Sequence, residues 1–342
     1  MRVAQVMAGA THGGAELFYE RLCMALHAAG DVVLPVIRRD QARAGRLREA
    51  GLSPVELAFG SPVDLLTRPR LRTALHDFAP EVVVSWMSRA AAHMPRGDWV
   101  HVGRLGGYYD LRRYRGCDHL VGNTQGIVRW MREHGWAAER THYLPNFVND
   151  LSGAASADLP GPAGTTTLLG LGRLHGAKGF DTVIAALPQL PDMRLVIAGS
   201  GPEHDSLRRQ AARVGARVHL LGWREDVASL LAACDIFVCS SRVEPLGNMV
   251  IEAWGAGCPV IACAADGPRE LIRDGQDGLL VPRDDPAALA SAIQRLLSDQ
   301  ALRLALVAAG RRRFEAEFSR AVVIAQWQSF LGRLAAGAPR SG

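Results

Sequence analysis

Lysine is almost absent from this chain of 342 residues: Lys178 stands alone beside 38 arginines. No apolar run approaches the roughly 18 residues of a membrane-spanning helix, so no spanning segment is expected. The six cysteines (Cys23, Cys117, Cys234, Cys239, Cys258 and Cys263) show no C-x-x-C spacing, and several fall inside apolar strand-like runs. That pattern argues against a disulfide framework and for buried, reduced thiols in a cytosolic protein. There is no internal repeat at a fixed period and no low-complexity tract, which excludes a solenoid. No G-x-G-x-x-G follows the first strand-like run, so a nicotinamide-dinucleotide reading loses support. With no D-x-D motif and no His/Cys cluster, neither a metal nor another cofactor is expected. His12, His101 and His175 are expected to be hydrogen-bonded loop or core residues rather than ligands.

What is present is an alternation of short apolar runs and helical patterns from end to end, broken by glycine turns. The opening MRVAQVMAGATHGG reads as a first strand entering a glycine loop rather than as a signal peptide. Strands are expected at 2–8, 31–37, 54–59, 81–86, 99–105 and 118–123. After a polar, small-residue stretch they resume at 166–173, 194–199, 218–223, 236–241, 259–264 and 278–282. Buried parallel strands with crossover helices follow from this pattern. The length suits two α/β domains of the doubly wound, Rossmann-like kind, facing across a cleft. Their expected bounds are 1–150 and 165–318, with 149–167 as the linker and 319–342 as a C-terminal helix packing back toward the first domain. Charge is uneven: residues 1–150 carry 19 arginines against 15 acidic residues, whereas the remainder is nearly balanced. An anionic partner such as a membrane surface or a phosphorylated acceptor fits that excess, as does a solvated arginine-rich surface. No stacking or groove-reading motif points to nucleic acid.

Chemistry gathers in strand-to-helix loops. In SSRVEPLGNMVIEAWGAGCPVIA (240–262), Glu244 lies in the loop after a strand, and Glu252 lies two turns into the helix that follows. Between them Leu246, Gly247 and Asn248 offer backbone N–H groups at a helix N-terminus, a site for negative charge or hydroxyls. In GLGRLHGAKGFD (170–181), Arg173 and Lys178 flank a glycine turn. A single lysine kept among arginines suggests a site that wants a compact point charge.

These segments resemble the E-x7-E signature and the G-R-x-x-x-x-K-G pattern of retaining glycosyltransferase family 4, of GT-B fold, over about 165–330 and more loosely over the first domain. The resemblance implies that Glu244 meets the donor sugar's hydroxyls, Glu252 the ribose hydroxyls, and Arg173 and Lys178 the donor diphosphate, with Glu244, Arg173 and Lys178 as the catalytic set. It further implies that Gly199 and Gly201 of AGSGPEHDSL admit the nucleotide and that Trp223 and Arg224 lie by the base. In the first domain it implies that Gly13 and Gly14 approach the donor phosphate or the acceptor. Glu16, Arg104, Tyr108, Tyr109, Asp110 and Asn146 are the acceptor-side candidates. The expected activity is transfer of a sugar, with retention and without metal, from a nucleotide-sugar (UDP favoured, GDP allowed) to a glycan or glycolipid hydroxyl. Lipopolysaccharide or cell-envelope polysaccharide synthesis at the cytoplasmic membrane face is the expected setting. A nucleotide-sugar 2-epimerase of the same fold and a non-catalytic sugar-nucleotide or membrane-surface binder are the alternatives.

Overall fold

A computed structural model describes residues 1–10, 13–60, 64–162 and 164–337. It divides into two compact units: unit 1 holds Met1–Phe147 with the C-terminal segment from Arg320, and unit 2 holds Val148–Ser319.

Unit 1 contains strands β1 (Arg2–Met7), β2 (Val32–Arg38), β3 (Val55–Leu57), β4 (Val82–Trp86), β5 (Val100–Leu105), β6 (His119–Gly122) and β7 (Thr141–Tyr143). They form one parallel sheet in the order β3-β2-β1-β4-β5-β6-β7. β1 and β4 are buried along nearly their whole length, which is why they read as almost unbroken apolar runs. Of the two buried polar residues inside them, Gln5 and Ser85, Gln5 accepts from the Trp86 indole N–H at 2.7 Å. The three-residue β7 carries too little apolar pattern to announce itself and was not expected.

Unit 2 contains β8 (Thr166–Leu171), β9 (Met193–Ala198), β10 (Val218–Leu220), β11 (Ile236–Cys239), β12 (Val260–Cys263) and β13 (Leu279–Val281). They too form a parallel sheet, in the order β10-β9-β8-β11-β12-β13. Helix starts follow the expected chemistry. Asp40, Thr124, Asp285 and Asp299 each accept a hydrogen bond from the backbone N–H three residues on.

The C-terminal helix Arg320–Gly337 buries Val323, Ile324, Trp327, Phe330 and Leu331, spaced as one helical face, in the core of unit 1 beside Phe18 and Phe147. The stretch 149–167 is not a free linker. Leu159 is buried in unit 2's core, Ala157 N–H donates to Ser229 O at 2.9 Å, and Arg194 Nη1 holds Pro160 O at 2.9 Å. Ahead of β8 its described residues pack irregularly, which is why they lack a periodic face.

Candidate functional site

Unit 2's connections leave β8 and β11 toward opposite edges of the sheet. The carboxyl ends of these two neighbours therefore form the switch point at which such sheets bind ligands. After β8 the chain makes a tight 3-10 turn, Gly176–Lys178, opened by His175, whose Nδ1 accepts from the Ala177 N–H at 3.1 Å. The loop after β11 is stitched to that turn. Arg242 N–H donates to Ala177 O and Ser240 Oγ to Lys178 O, both at 2.8 Å. The Arg242 guanidinium then grips Gly176 O, both oxygens of Asp181 and, at 2.5 Å, Asp284. Those hydrogen bonds hold the Asp181 carboxyl below the usual carboxylate range. Gly179 sits with φ 63°, and a Cβ there would lie 2.2 Å from Ser240 O, so only glycine allows the two loops to close.

This closure brings Lys178 and Glu244, 66 residues apart, into an ion pair between Nζ and Oε2. Both side chains are largely buried, at 25% and 15% exposure, and Ser241 Oγ donates to the same carboxylate at 3.4 Å. The glutamate's own carbonyl accepts from Gly267 N–H at 2.8 Å, which fixes the loop from behind. Leu246 is buried, and Gly247 opens the helix Asn248–Ala256, so the positive end of that helix dipole lies at this loop. Glu252 is half-buried one turn beyond Asn248 on the same helix face. Arg173 stands exposed just past β8 and has no hydrogen-bond or ion-pair partner among the described residues. Two cations, two carboxylates and a helix N-terminus thus border one sheet edge. That set can neutralise a diphosphate and accept from sugar hydroxyls.

Gly199 and Gly201 pack closely against the neighbouring loop. A Cβ on Gly199 would meet Gly172 O at 1.8 Å, and one on Gly201 would meet Leu174 O at 2.3 Å. The missing side chains admit the neighbouring loop's backbone. Trp223 is 68% exposed, leaving an indole face uncovered near the end of β10, whereas the Arg224 guanidinium is engaged by Asp226.

In unit 1, Gly13 and Gly14 precede the helix Gly14–Ala28 or open it, while Thr11 and His12 of the same loop lie outside the described residues. Glu16, expected to face the acceptor, instead closes this loop. It is 7% exposed, accepts from Ala10 N–H at 2.8 Å, and fills the space where Cβ atoms on Gly9 and Gly13 would sit. Asp110 likewise is used locally: it accepts from Arg112 N–H at 3.1 Å and grips the Arg112 guanidinium. Tyr108 is exposed and its ring meets Trp130 edge-on at 5.6 Å, and Tyr109 is half-buried. Arg104 is buried, stacked on Trp86 and Phe18, and donates to Asn146 Oδ1. His101 is buried and turned away, bonded to Ser85 Oγ at 2.8 Å and to Gly116 O at 3.0 Å. Sequence reasoning missed Arg242. A polar residue just past a buried strand's carboxyl end is the signal that it offered.

Two parallel α/β units with these loops define the GT-B class of glycosyltransferase fold. The crystal structure of HepE from Anabaena in complex with UDP superposes with a TM-score of 0.85 at 21% identity, covering 97% of this chain and all of that one. WaaG, a glycosyltransferase involved in lipopolysaccharide biosynthesis, gives 0.71 at 19% identity over 96% of this chain and 99% of its own. In sequence, the lipopolysaccharide core biosynthesis glycosyltransferase LpsE of Rhizobium meliloti is 33% identical across 91% of this chain and 93% of its own. LpsD of the same organism is 35% identical across 93% and 94%. A profile described as glycosyl transferases group 1 matches residues 165–299. The chain belongs to this glycosyltransferase family and is a glycosyltransferase.

The Arg242 clamp predicts that Arg242→Ala lowers unfolding stability by about 1.5–3 kcal/mol, the usual loss for hydrogen bonds to charged groups. Urea unfolding of the variant checks this. A change under about 0.5 kcal/mol, the range of an ordinary surface substitution, would show that the clamp does not hold the loops.

Proposed function

We propose that this glycosyltransferase takes its sugar from a nucleotide-sugar bound at unit 2's switch point and passes it, with retained anomeric configuration and without a metal, to an acceptor hydroxyl. The observation that carries this reading is the meeting of Lys178 with Glu244 beside the helix N-terminus at Gly247. Arg173 and Lys178 would take the donor diphosphate and stabilise it as it departs. Glu244 would accept from the sugar's hydroxyls, and Glu252 from the ribose. In a front-face displacement, the bond from the anomeric carbon to the diphosphate oxygen breaks and its electron pair stays with the diphosphate. The acceptor oxygen bonds to the same face of that carbon and its proton passes to the departing diphosphate. The positive charge that a metal would supply comes here from Arg173, Lys178 and the helix N-terminus. Among the described residues, no group of three His, Cys, Asp or Glu is placed to hold an ion.

The relatives' names support an envelope glycan or glycolipid acceptor: LpsE and LpsD act in lipopolysaccharide core biosynthesis. For the donor, HepE is solved with UDP-glucose at 21% identity. A GDP-mannose-dependent mannosyltransferase of Corynebacterium glutamicum is 40% identical over 43% of this chain. UDP-sugar is favoured by the structural relatives, and GDP-sugar remains the second candidate. Release of nucleoside diphosphate from a panel of UDP-, GDP- and ADP-sugars, with EDTA present, tests the reading. One donor is expected to turn over undiminished by EDTA, and Glu244→Ala to lower that rate at least 100-fold, about 2.7 kcal/mol of transition-state stabilisation. A variant within about tenfold of wild type would contradict the assigned role of Glu244.

Contact with an anionic membrane face is part of the proposal. Leu65 and Leu66 are 80% and 59% exposed immediately before the helix Thr67–Phe78, whose Arg68, Arg70 and Arg72 also face solvent. Apolar tips beside arginines suit an anionic lipid surface. Among the described residues no helix is long and apolar enough to cross a membrane. Binding to phosphatidylglycerol-containing vesicles at low salt, weakened by Leu65→Ser with Leu66→Ser, is expected in a flotation assay. Absence of the wild type from the lipid fraction would remove this part.

A further inference from the structure

Arg104 is a cation without a counter-charge. It sits next to the end of β5 with 2% exposure, and no carboxylate pairs with it among the described residues. Its guanidinium carbon lies 4.2 Å from the Trp86 ring centre and 4.9 Å from that of Phe18. One amino group donates to Asn146 Oδ1, and Nε has no partner. The ionisable groups that act on it are the phenols of Tyr109 and Tyr114, neutral at pH 7. Burial pushes the guanidinium down from 12.5 to about 9, so it stays charged at neutral pH in an unfavourable setting. Two aromatic faces and one amide offset only part of the penalty for burying such a charge.

A second buried polar group stands beside it. Asn123, next after β6, is 4% exposed and turns its amide Nδ2 toward the same space. Gly106 shows where Arg104 and Asn123 point. A Cβ built there would lie 3.8 Å from Arg104 Nη1 and 3.8 Å from Asn123 Nδ2, with no other described atom outside the adjoining residues within 4 Å. Gly106 is half-exposed, so this space opens to solvent. Two N–H groups from two adjacent strand ends therefore converge on an unfilled position at the carboxyl edge of a parallel sheet, where such sheets take ligands.

We propose that Arg104 and Asn123 hold an oxyanion, a phosphate or a carboxylate carried by the acceptor, in the space that Gly106 leaves empty. This rests on the reading of unit 1 as the acceptor side, and it makes the acceptor anionic. Arg104 and Asn123 are then specificity residues: the guanidinium supplies charge and the amide a directed hydrogen bond.

Gly106→Ala tests the site without removing its charge. Gly106 does not occupy the left-handed region, and 3.8 Å is ordinary contact, so alanine fits the fold while occupying the space. Calorimetry on the full chain would use inorganic phosphate, glucuronate and neutral galactose, each to about 10 mM, the range of weak single-group binding. Wild type is expected to bind phosphate or glucuronate, whichever anion its acceptor carries, more tightly than galactose. Gly106→Ala and Arg104→Met are expected to weaken that anion at least tenfold. Comparing wild type with Gly106→Ala isolates this position from any phosphate bound in unit 2. Equal anion affinity in wild type and Gly106→Ala, or no anion binding by wild type, would overturn the proposal. Nucleoside diphosphate binding, measured in parallel, is expected to be unchanged in both variants. Its absence from all three proteins beside an intact anion difference would contradict the donor reading and support this one.

Discussion

β8 and β11 lie side by side in unit 2, yet the loops that leave them are separated by more than sixty residues of chain. Everything proposed for the donor depends on those loops being held against each other. Arg242, Ser240 and the bare backbone of Gly179 do the holding. The result is a lysine and a glutamate paired at low exposure, each kept in place before any ligand arrives. Preorganised charge of this kind is the form of electrostatic help that needs no rearrangement when new charge develops. The pairing also sets a condition. A diphosphate that takes Lys178 competes with Glu244 for it, and a sugar that takes Glu244 releases Lys178. On the proposed reading, donor sugar and diphosphate would be coupled through one ion pair.

Unit 1 repeats the architecture with different contents. Its strand ends carry Arg104 and Asn123 at the same kind of edge, and the charge there is unpaired where unit 2's is paired. The contrast follows from neighbours. Glu244 reaches Lys178 because their loops are bonded together, whereas Glu16, the nearby carboxylate candidate in unit 1, is spent on Ala10 and the glycine loop. An acid used to shape a loop is not available as a counter-ion.

The sheets were largely legible because buried parallel strands write themselves as apolar runs, and twelve of the thirteen strands lie within or beside the expected segments. The three-residue β7 was too short to read. The loop residues of unit 2 were legible as motifs, but their mutual contacts were not, since nothing in EPLGN or GRLHGAKG says that Lys178 and Glu244 touch. Gly199 and Gly201 show the limit most clearly. A glycine beside a strand end is visible in the sequence, yet whether it admits a ligand or another loop depends on what lies opposite, here the carbonyls of Gly172 and Leu174. The strap 149–167 was misread for a related reason: without periodicity, sequence offers no way to tell an irregular packed segment from a linker.

Calorimetric titration of the free nucleoside diphosphate into wild type, Lys178→Ala and Glu244→Ala tests the coupled pair most directly. Lys178→Ala is predicted to bind at least about tenfold more weakly, a loss of roughly 1.4 kcal/mol. Glu244→Ala is predicted to bind as well as wild type or better, because its lysine is released to the diphosphate. Wild-type affinity in Lys178→Ala together with lost binding in Glu244→Ala would contradict the account.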